Sequence, residues 1–298
     1  MTSTRSETGK GDIQHLLREK SKKISDPAGR EIKILEDRHA LEIAAVSGLS
    51  MRDVYIEALN LDIYPYRYIR NRETISREEQ LKLSKSCVAV VGAGGLGGNV
   101  ILLLARLGVG HIVVVDYDRF DETNLNRQAL SNGQALGRSK AEEAVNAVST
   151  INPGVTLSAY QLRIDPSNAR EVLNGSDVIV DALDNIPDRF TMEDISRSLR
   201  IPMVHGALAG LEGQVMTIFP EDPGLKRLYG SREAGSDPSK SPEAILGVPA
   251  PTPSLIATLQ VMEVVKIILK RGKLFRNVMV HVDLETGEMI SFSYKDAG

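Results

Sequence analysis

The sequence holds one cysteine, Cys87, no tryptophan and only 4% aromatic residues in 298. A single thiol closes no internal disulfide and falls short of the thiolate set of a cysteine-rich zinc site. Charge of one sign is lacking as well. The 36 Lys+Arg against 39 Asp+Glu leave a formal net charge of −3, which gives no global attraction toward nucleic acid or an anionic membrane. Long apolar runs are also missing. The most apolar stretch, Val100 to Val115, is interrupted by Arg106, Gly108, Gly110 and His111, short of the roughly 20 residues that span a bilayer. Met1 to Lys23 is polar, without the apolar core of a secretory signal. These absences predict a cytoplasmic chain with no membrane span, and 42% hydrophobic with 25% charged residues is ordinary globular composition.

The pattern divides near Tyr64-Pro65. Residues 1–64 read as a helical, strand-poor extension. Asp12 is placed to cap a helix carrying Ile13, Leu16 and Leu17, a second helix runs from Asp37 to Val46, and a third follows Ser50. The glycine turn at Gly48 has the outline of a helix-turn-helix, but Arg52 is offset by Asp53 and Glu57, so a packing or docking appendage is the better reading. Residues 65–298 form the second unit. From Cys87, short β-branched runs such as Val88–Val91, Ile112–Val115 and Val178–Val180 alternate with helical segments. Continuous apolar strands separated by helices predict an α/β fold: a Rossmann-like, mostly parallel sheet with helices on both faces. The tail predicts an antiparallel extension, with a strand at Gln214–Phe219 and a closing hairpin. Between them, the Pro/Gly/Ser-rich stretch about 221–253 is too long for a plain connector and reads as a functional loop.

The strand Val88–Val91 runs into Gly92-Ala93-Gly94-Gly95-Leu96-Gly97, a GxGxxG between strand and helix. Gly92 permits the tight turn, Gly94 close approach of backbone to a ligand, and Gly97 close helix–strand packing, with phosphate favoured at the helix amino end. Asp116 ends the next strand about twenty residues on, where an acid accepts ribose hydroxyls. The motif alone suits NAD. The residues beyond it point to a reacting phosphate chain: Asn124, Arg127 and Gln128, then Lys140 at a helix entry, then Asp181 and Asp184-Asn185 after a third strand. Cations and a carboxylate for Mg²⁺ serve phosphate chemistry, whereas hydride transfer needs neither.

The set Arg67-Tyr68-Ile69-Arg70-Asn71, Gly92–Gly97, Asp116-Tyr117-Asp118, Thr123–Gln128, Gly137–Lys140, Ile151–Pro153, Asp181–Asn185 and Gly213–Val215 resembles the ThiF/MoeB/HesA adenylyltransferases, bacterial relatives of ubiquitin-activating enzymes. The likeness runs from about Tyr66 to the C-terminal hairpin. It implies a homodimer that binds Mg²⁺ and ATP and adenylates the C-terminal Gly-Gly carboxylate of a ubiquitin-like sulfur carrier protein, releasing pyrophosphate. Carried over by position, Asp116 holds the ribose and Arg127 and Lys140 contact the phosphates. Asp184 serves the Mg²⁺, and Asn124 and Gln128 line the pocket. Gly92, Gly94, Gly95, Gly97, Asp118 and Asn185 complete the nucleotide site, and Arg70 reaches the other subunit's phosphates. The stretch 221–253 takes the place of the family's crossover loop, beneath which the carrier tail passes. His205 stands near that tail, though packing is its simpler role.

Two departures matter. The CxxC pairs of zinc-binding members are missing, so no zinc is expected. The crossover loop offers Ser239 and Ser241 where persulfide- or thioester-forming members place a cysteine, and Cys87, just before the first strand, reads as a packing residue. Activation of a carboxylate without a covalent step on this chain is the resulting expectation. The alternatives are adenylation of a peptide or a modified tRNA nucleoside, an NAD-dependent oxidoreductase, and a nucleotide-binding scaffold.

Overall fold

The N-terminal segment folds as a small mixed layer rather than as helices alone. The computed structural model describes residues 7–26, 28–232, 239 and 241–294. The chain begins α1 (Glu7–Lys20), β1 (Lys22–Ser25), β2 (Glu31–Leu35), α2 (Asp37–Ser47), α3 (Met51–Asn60), β3 (Ile63–Pro65) and α4 (Arg77–Lys85). The strands make a three-stranded sheet, β1 antiparallel and β3 parallel to β2, so the strand-poor expectation for residues 1–64 is corrected. Helix α1 starts at Glu7, which puts Asp12 inside it rather than at its cap. Ser50 does cap α3, its side chain accepting from the Asp53 N–H, and Gly48 ends α2 in the left-handed region at φ 69°. Arg52 donates to the Ser84 and Lys85 carbonyls at 3.0 and 3.2 Å, so the cation on the candidate second helix holds the end of α4.

From Cys87 the alternation runs β4 (Cys87–Val91), α5 (Gly95–Leu107), β5 (His111–Val115), α6 (Lys140–Ile151), β6 (Thr156–Tyr160), α7 (Ala169–Leu173), β7 (Val178–Asp181), α8 (Ile186–Leu199) and β8 (Met203–Ala209). It continues with β9 (Glu212–Ile218), α9 (Lys226–Tyr229), α10 (Pro242–Leu246), α11 (Pro251–Leu269), β10 (Val278–Asp283) and β11 (Met289–Ser293). One eight-stranded sheet has the order β11-β10-β9-β8-β7-β4-β5-β6. Strands β4 to β8 are parallel and β8 to β11 antiparallel. Along β4, Val88 and Val90 enter the core beneath α5 and α11, while Ala89 and Val91 enter the core on the opposite face. Burial on both faces is why the strand reads as an unbroken apolar run. Helix α11 is long and apolar enough to cross a membrane by length and composition, and Ile256, Ala257, Val261 and Val264 bury it against α5 in this core.

Candidate active site

The carboxyl ends of β4, β5 and β7 open onto a cavity of about 550 Å³. From β4 the chain builds outward through β5 and β6 on one side and then crosses back to place β7 on the other side of β4, the switch point at which an open α/β sheet leaves a crevice. Gly92 has φ +95°, and a Cβ there would lie 2.5 Å from the Ala182 carbonyl oxygen. A Cβ on Gly97 would lie 1.8 Å from the Gly92 oxygen. Both positions therefore require glycine. Gly94 and Gly95 line the cavity at the amino end of α5, where unpaired N–H groups and the positive end of the helix dipole favour an anion.

Around this turn the chain gathers polar groups from four segments. Asp116 accepts from the Ala93 and Asp118 N–H groups, each at 2.7 Å, and burial raises its carboxyl above the usual range. Each oxygen retains a lone pair for a hydroxyl donor. Lys140 opens α6 and is buried, with its Nζ 3.2 Å from Asp118 Oδ2. Arg127 Nη1 donates to the Thr123 carbonyl and Asn126 Oδ1, both at 2.9 Å, which props its guanidinium at the cavity wall. Gln128 is buried behind Gly94, and its Oε1 has no hydrogen-bond partner. Asp184 is exposed on the same wall.

The structure thus brings together Gly92, Gly94, Gly95, Asp116, Asp118, Arg127, Gln128, Lys140 and Asp184. It sets four other expected residues apart. Gly97 lies behind the turn. Asn124 is buried with its Oδ1 accepting from the Asp121 N–H at 3.0 Å, and it is not on the cavity wall. Asn185 caps α8 by accepting from the Asp188 N–H at 2.9 Å and lines a neighbouring cavity instead. Arg70 is exposed and outside both cavities.

The residues present fit a nucleotide with its cation. Glycines leave the helix end uncovered, Gln128 keeps an unmet acceptor, and Arg127 and Lys140 bring positive charge to the cavity wall. Among the described residues no group of three or more His, Cys, Asp or Glu gathers as a metal site. Magnesium carried on phosphates needs only one or two protein carboxylates, and Asp184 is suitably exposed.

The neighbouring cavity, about 650 Å³, runs between the β8–β9 hairpin and α10 and shares Asp184, Arg189, Ala207, Leu208, Ser241 and Glu243 with the first. Residues 233–238 and 240 of the Pro-rich stretch lie outside the described residues. Its described parts are tied down: the Gly210 N–H donates to the Gly247 carbonyl at 2.8 Å, and Thr252 Oγ1 donates to the Gly210 carbonyl at 2.7 Å.

Behind both cavities lies a buried network absent from the sequence reading. Asp181 and His205 are register partners on β7 and β8, and Asp181 Oδ2 is 2.7 Å from His205 Nδ1. Tyr229 Oη accepts from Arg189 Nη1 at 3.1 Å and Gln214 Nε2 at 3.0 Å. Its own proton therefore goes to His205 Nε2, 3.1 Å away, and Nδ1–H donates to Asp181. Burial pushes the imidazole pKa down, against the pull of Asp181, in keeping with this neutral tautomer. His205 is fully buried, lines neither cavity, and meets Tyr229 and Asp181.

Cys87 sits at the other end of β4. Its Sγ is 3.6 Å from His111 Nδ1 and 3.8 Å from Ser176 Oγ. Burial raises the thiol pKa and lowers that of the imidazole, the reverse of what makes a reactive thiolate. Cys87→Ala is expected to leave nucleotide binding and turnover within about twofold of the parent; a loss of turnover in a folded variant would overturn this assignment.

Comparison with known proteins adds to this geometry. The model of the ThiF family matches residues 68–297. The SAMP-activating enzyme E1 of Haloferax volcanii is 39% identical over 219 residues, covering 73% of this chain and 79% of that protein. The sulfur carrier protein adenylyltransferase of Thermus thermophilus is 34% identical over 215 residues, covering 67% and 75%. The adenylyltransferase and sulfurtransferase MOCS3 of Arabidopsis thaliana is 32% identical over 295 residues, and there the match covers 94% of this chain but 62% of the longer relative. Among solved structures, E. coli MccB with ATP matches with a TM-score of 0.64 at 19% identity, over 86% of this chain and 82% of the other, which shows the shared fold.

Proposed function

The chain belongs to the ThiF family, and from that premise we propose that it is an ATP-dependent adenylyltransferase acting on the C-terminal carboxylate of a ubiquitin-like sulfur carrier protein. The observation that carries this reading is the pair of joined cavities. One offers a glycine turn, an acid for ribose and cations for phosphates; the other leads to it between a glycine-containing hairpin and a loop, as an extended Gly-Gly tail requires. The names of the Haloferax and Thermus relatives support the choice of substrate.

In this mechanism a carboxylate oxygen attacks the α-phosphorus of ATP and pyrophosphate leaves, giving an acyl-adenylate. No general base is needed, because a terminal carboxylate is ionised at neutral pH. Asp116 orients the ribose. Arg127 and Lys140 hold the triphosphate, offset the repulsion between two anions and stabilise the further charge that gathers on the phosphates in the transition state. Magnesium, held by Asp184 and the nucleotide, would screen the same charge. Gln128 lends its free Oε1 to a donor on the nucleotide. A second copy of the chain supplies Arg70. The cytoplasm is the compartment this reading implies.

Exchange of labelled pyrophosphate into ATP tests the proposal. Exchange that depends on a purified Gly-Gly carrier is the expected result. Exchange with tRNA alone, or NADH binding without ATP binding, would refute it.

A further inference from the structure

Arg189 was not singled out by the sequence, yet it stands where the two cavities meet. It is 5% exposed. Nη2 donates to the Leu183 carbonyl at 2.7 Å and Nη1 to Tyr229 Oη, so the guanidinium is fixed in place. Its Nε is buried and has no partner. A fixed guanidinium with an unmet donor is a site for an acceptor, and a carboxylate suits its fork best. The carboxylate present is that of Glu243, on α10, with Oε1 3.6 Å from Nη2. That distance makes an ion pair but no hydrogen bond.

We propose that Glu243 is a gate for substrate selection: it occupies at Arg189 the position that an incoming C-terminal carboxylate must take on its way to the nucleotide. The proposal rests on the adenylation reading and adds the residue that receives the carboxylate and the one that must yield. A terminus with a free carboxylate replaces the long ion pair with hydrogen bonds to Arg189. An amidated terminus offers no such exchange and leaves Glu243 in place. Two ionised carboxylates on one arginine repel, so Glu243 yields by withdrawing or by taking a proton.

The surroundings of Glu243 make the second route accessible. Burial is the largest influence and raises its carboxyl pKa to about 7. Asp184, beyond β7, and Asp181, at its end, push the same way; Arg189 of α8 and Arg127 oppose them. As pH falls through 7, Glu243 takes a proton and its hold on Arg189 weakens. As pH rises, the gate closes more firmly.

Calorimetry with a synthetic peptide ending in Gly-Gly, as the free acid and as the C-terminal amide, tests this. At pH 8, Glu243→Gln is expected to bind the acid about tenfold more tightly than the parent, on the scale of a charged hydrogen bond, with the amide unaffected. The parent should gain affinity for the acid between pH 8 and pH 6, and the variant should show little change. Glu243→Ala should reproduce the affinity gain if glutamine distorts α10. Equal affinities of parent and variants for the acid, equal gains for acid and amide, or no binding to any of the proteins would overturn the gate. Carrier-dependent exchange, measured on the same preparations, decides the adenylation reading separately.

Discussion

Asp184→Ala and Arg127→Ala are each expected to lower carrier-dependent pyrophosphate exchange by about two to three orders of magnitude, the cost of removing one group that stabilises transition-state charge in a cavity. The two losses should differ in kind. Asp184 is an exposed carboxylate on the cavity wall, and beside a triphosphate it is repulsive unless a cation lies between them. Its removal should weaken binding of ATP with magnesium and leave binding of ATP in chelator unchanged or tighter. Arg127 is a cation steadied by the Thr123 carbonyl and Asn126. Its removal should weaken ATP in both conditions. Titration of each variant with and without magnesium separates these outcomes, and weakening of metal-free ATP by Asp184→Ala would remove that residue from its assigned role.

The nucleotide crevice was legible because it depends on local sequence. The turn is encoded in the consecutive residues Gly92 to Gly97, where the Gly92 carbonyl excludes any Cβ at position 97, and Asp116 and Asp184 stand just past the ends of apolar strands whose direction fixes the edge they reach. The second half of the site was not legible, because it depends on register and on long-range approach. His205 meets Asp181 only because β7 and β8 pair in parallel with those residues opposite. Arg189 meets Tyr229 across forty positions and Glu243 across more, and no spacing rule encodes that. Asn124 is the opposite case: its place among the motif residues suggests a pocket group, whereas its Oδ1 accepts from the Asp121 N–H and closes that turn, away from the cavity wall. In the N-terminal unit, Glu31-Ile32-Lys33-Ile34 alternates as a strand should, but Lys22–Ser25 is too short and exposed to show a period. The missed α4 did carry a signal, the capping box of Ser76 and Glu79.

Arg70→Ala is the variant whose behaviour reports on assembly. Arg70 is exposed and lines neither cavity of its own chain. Its turn is nevertheless well held: Arg72 pairs with buried Asp26 and lies 5.4 Å from the centre of the Tyr64 ring, and the Asn71 carbonyl accepts from the Thr74 and Ile75 N–H groups at 2.9 and 2.7 Å. A cation presented to solvent on a fixed turn is suited to a neighbouring molecule's anion. If a second copy receives it, Arg70→Ala alone and Asp184→Ala alone should each be nearly inactive. Mixed, they should recover. In a mixed two-fold dimer, the site on the Arg70→Ala chain has its own Asp184 and receives Arg70 from its partner, while the other site lacks both. Random exchange makes half the dimers mixed with one sound site in each, so about a quarter of parental exchange should return. An arginine acting within its own chain predicts no recovery, since neither site of the mixed dimer would then be whole. Mass spectrometry confirming mixed dimers, with exchange still absent, would therefore place Arg70 outside the partner's site.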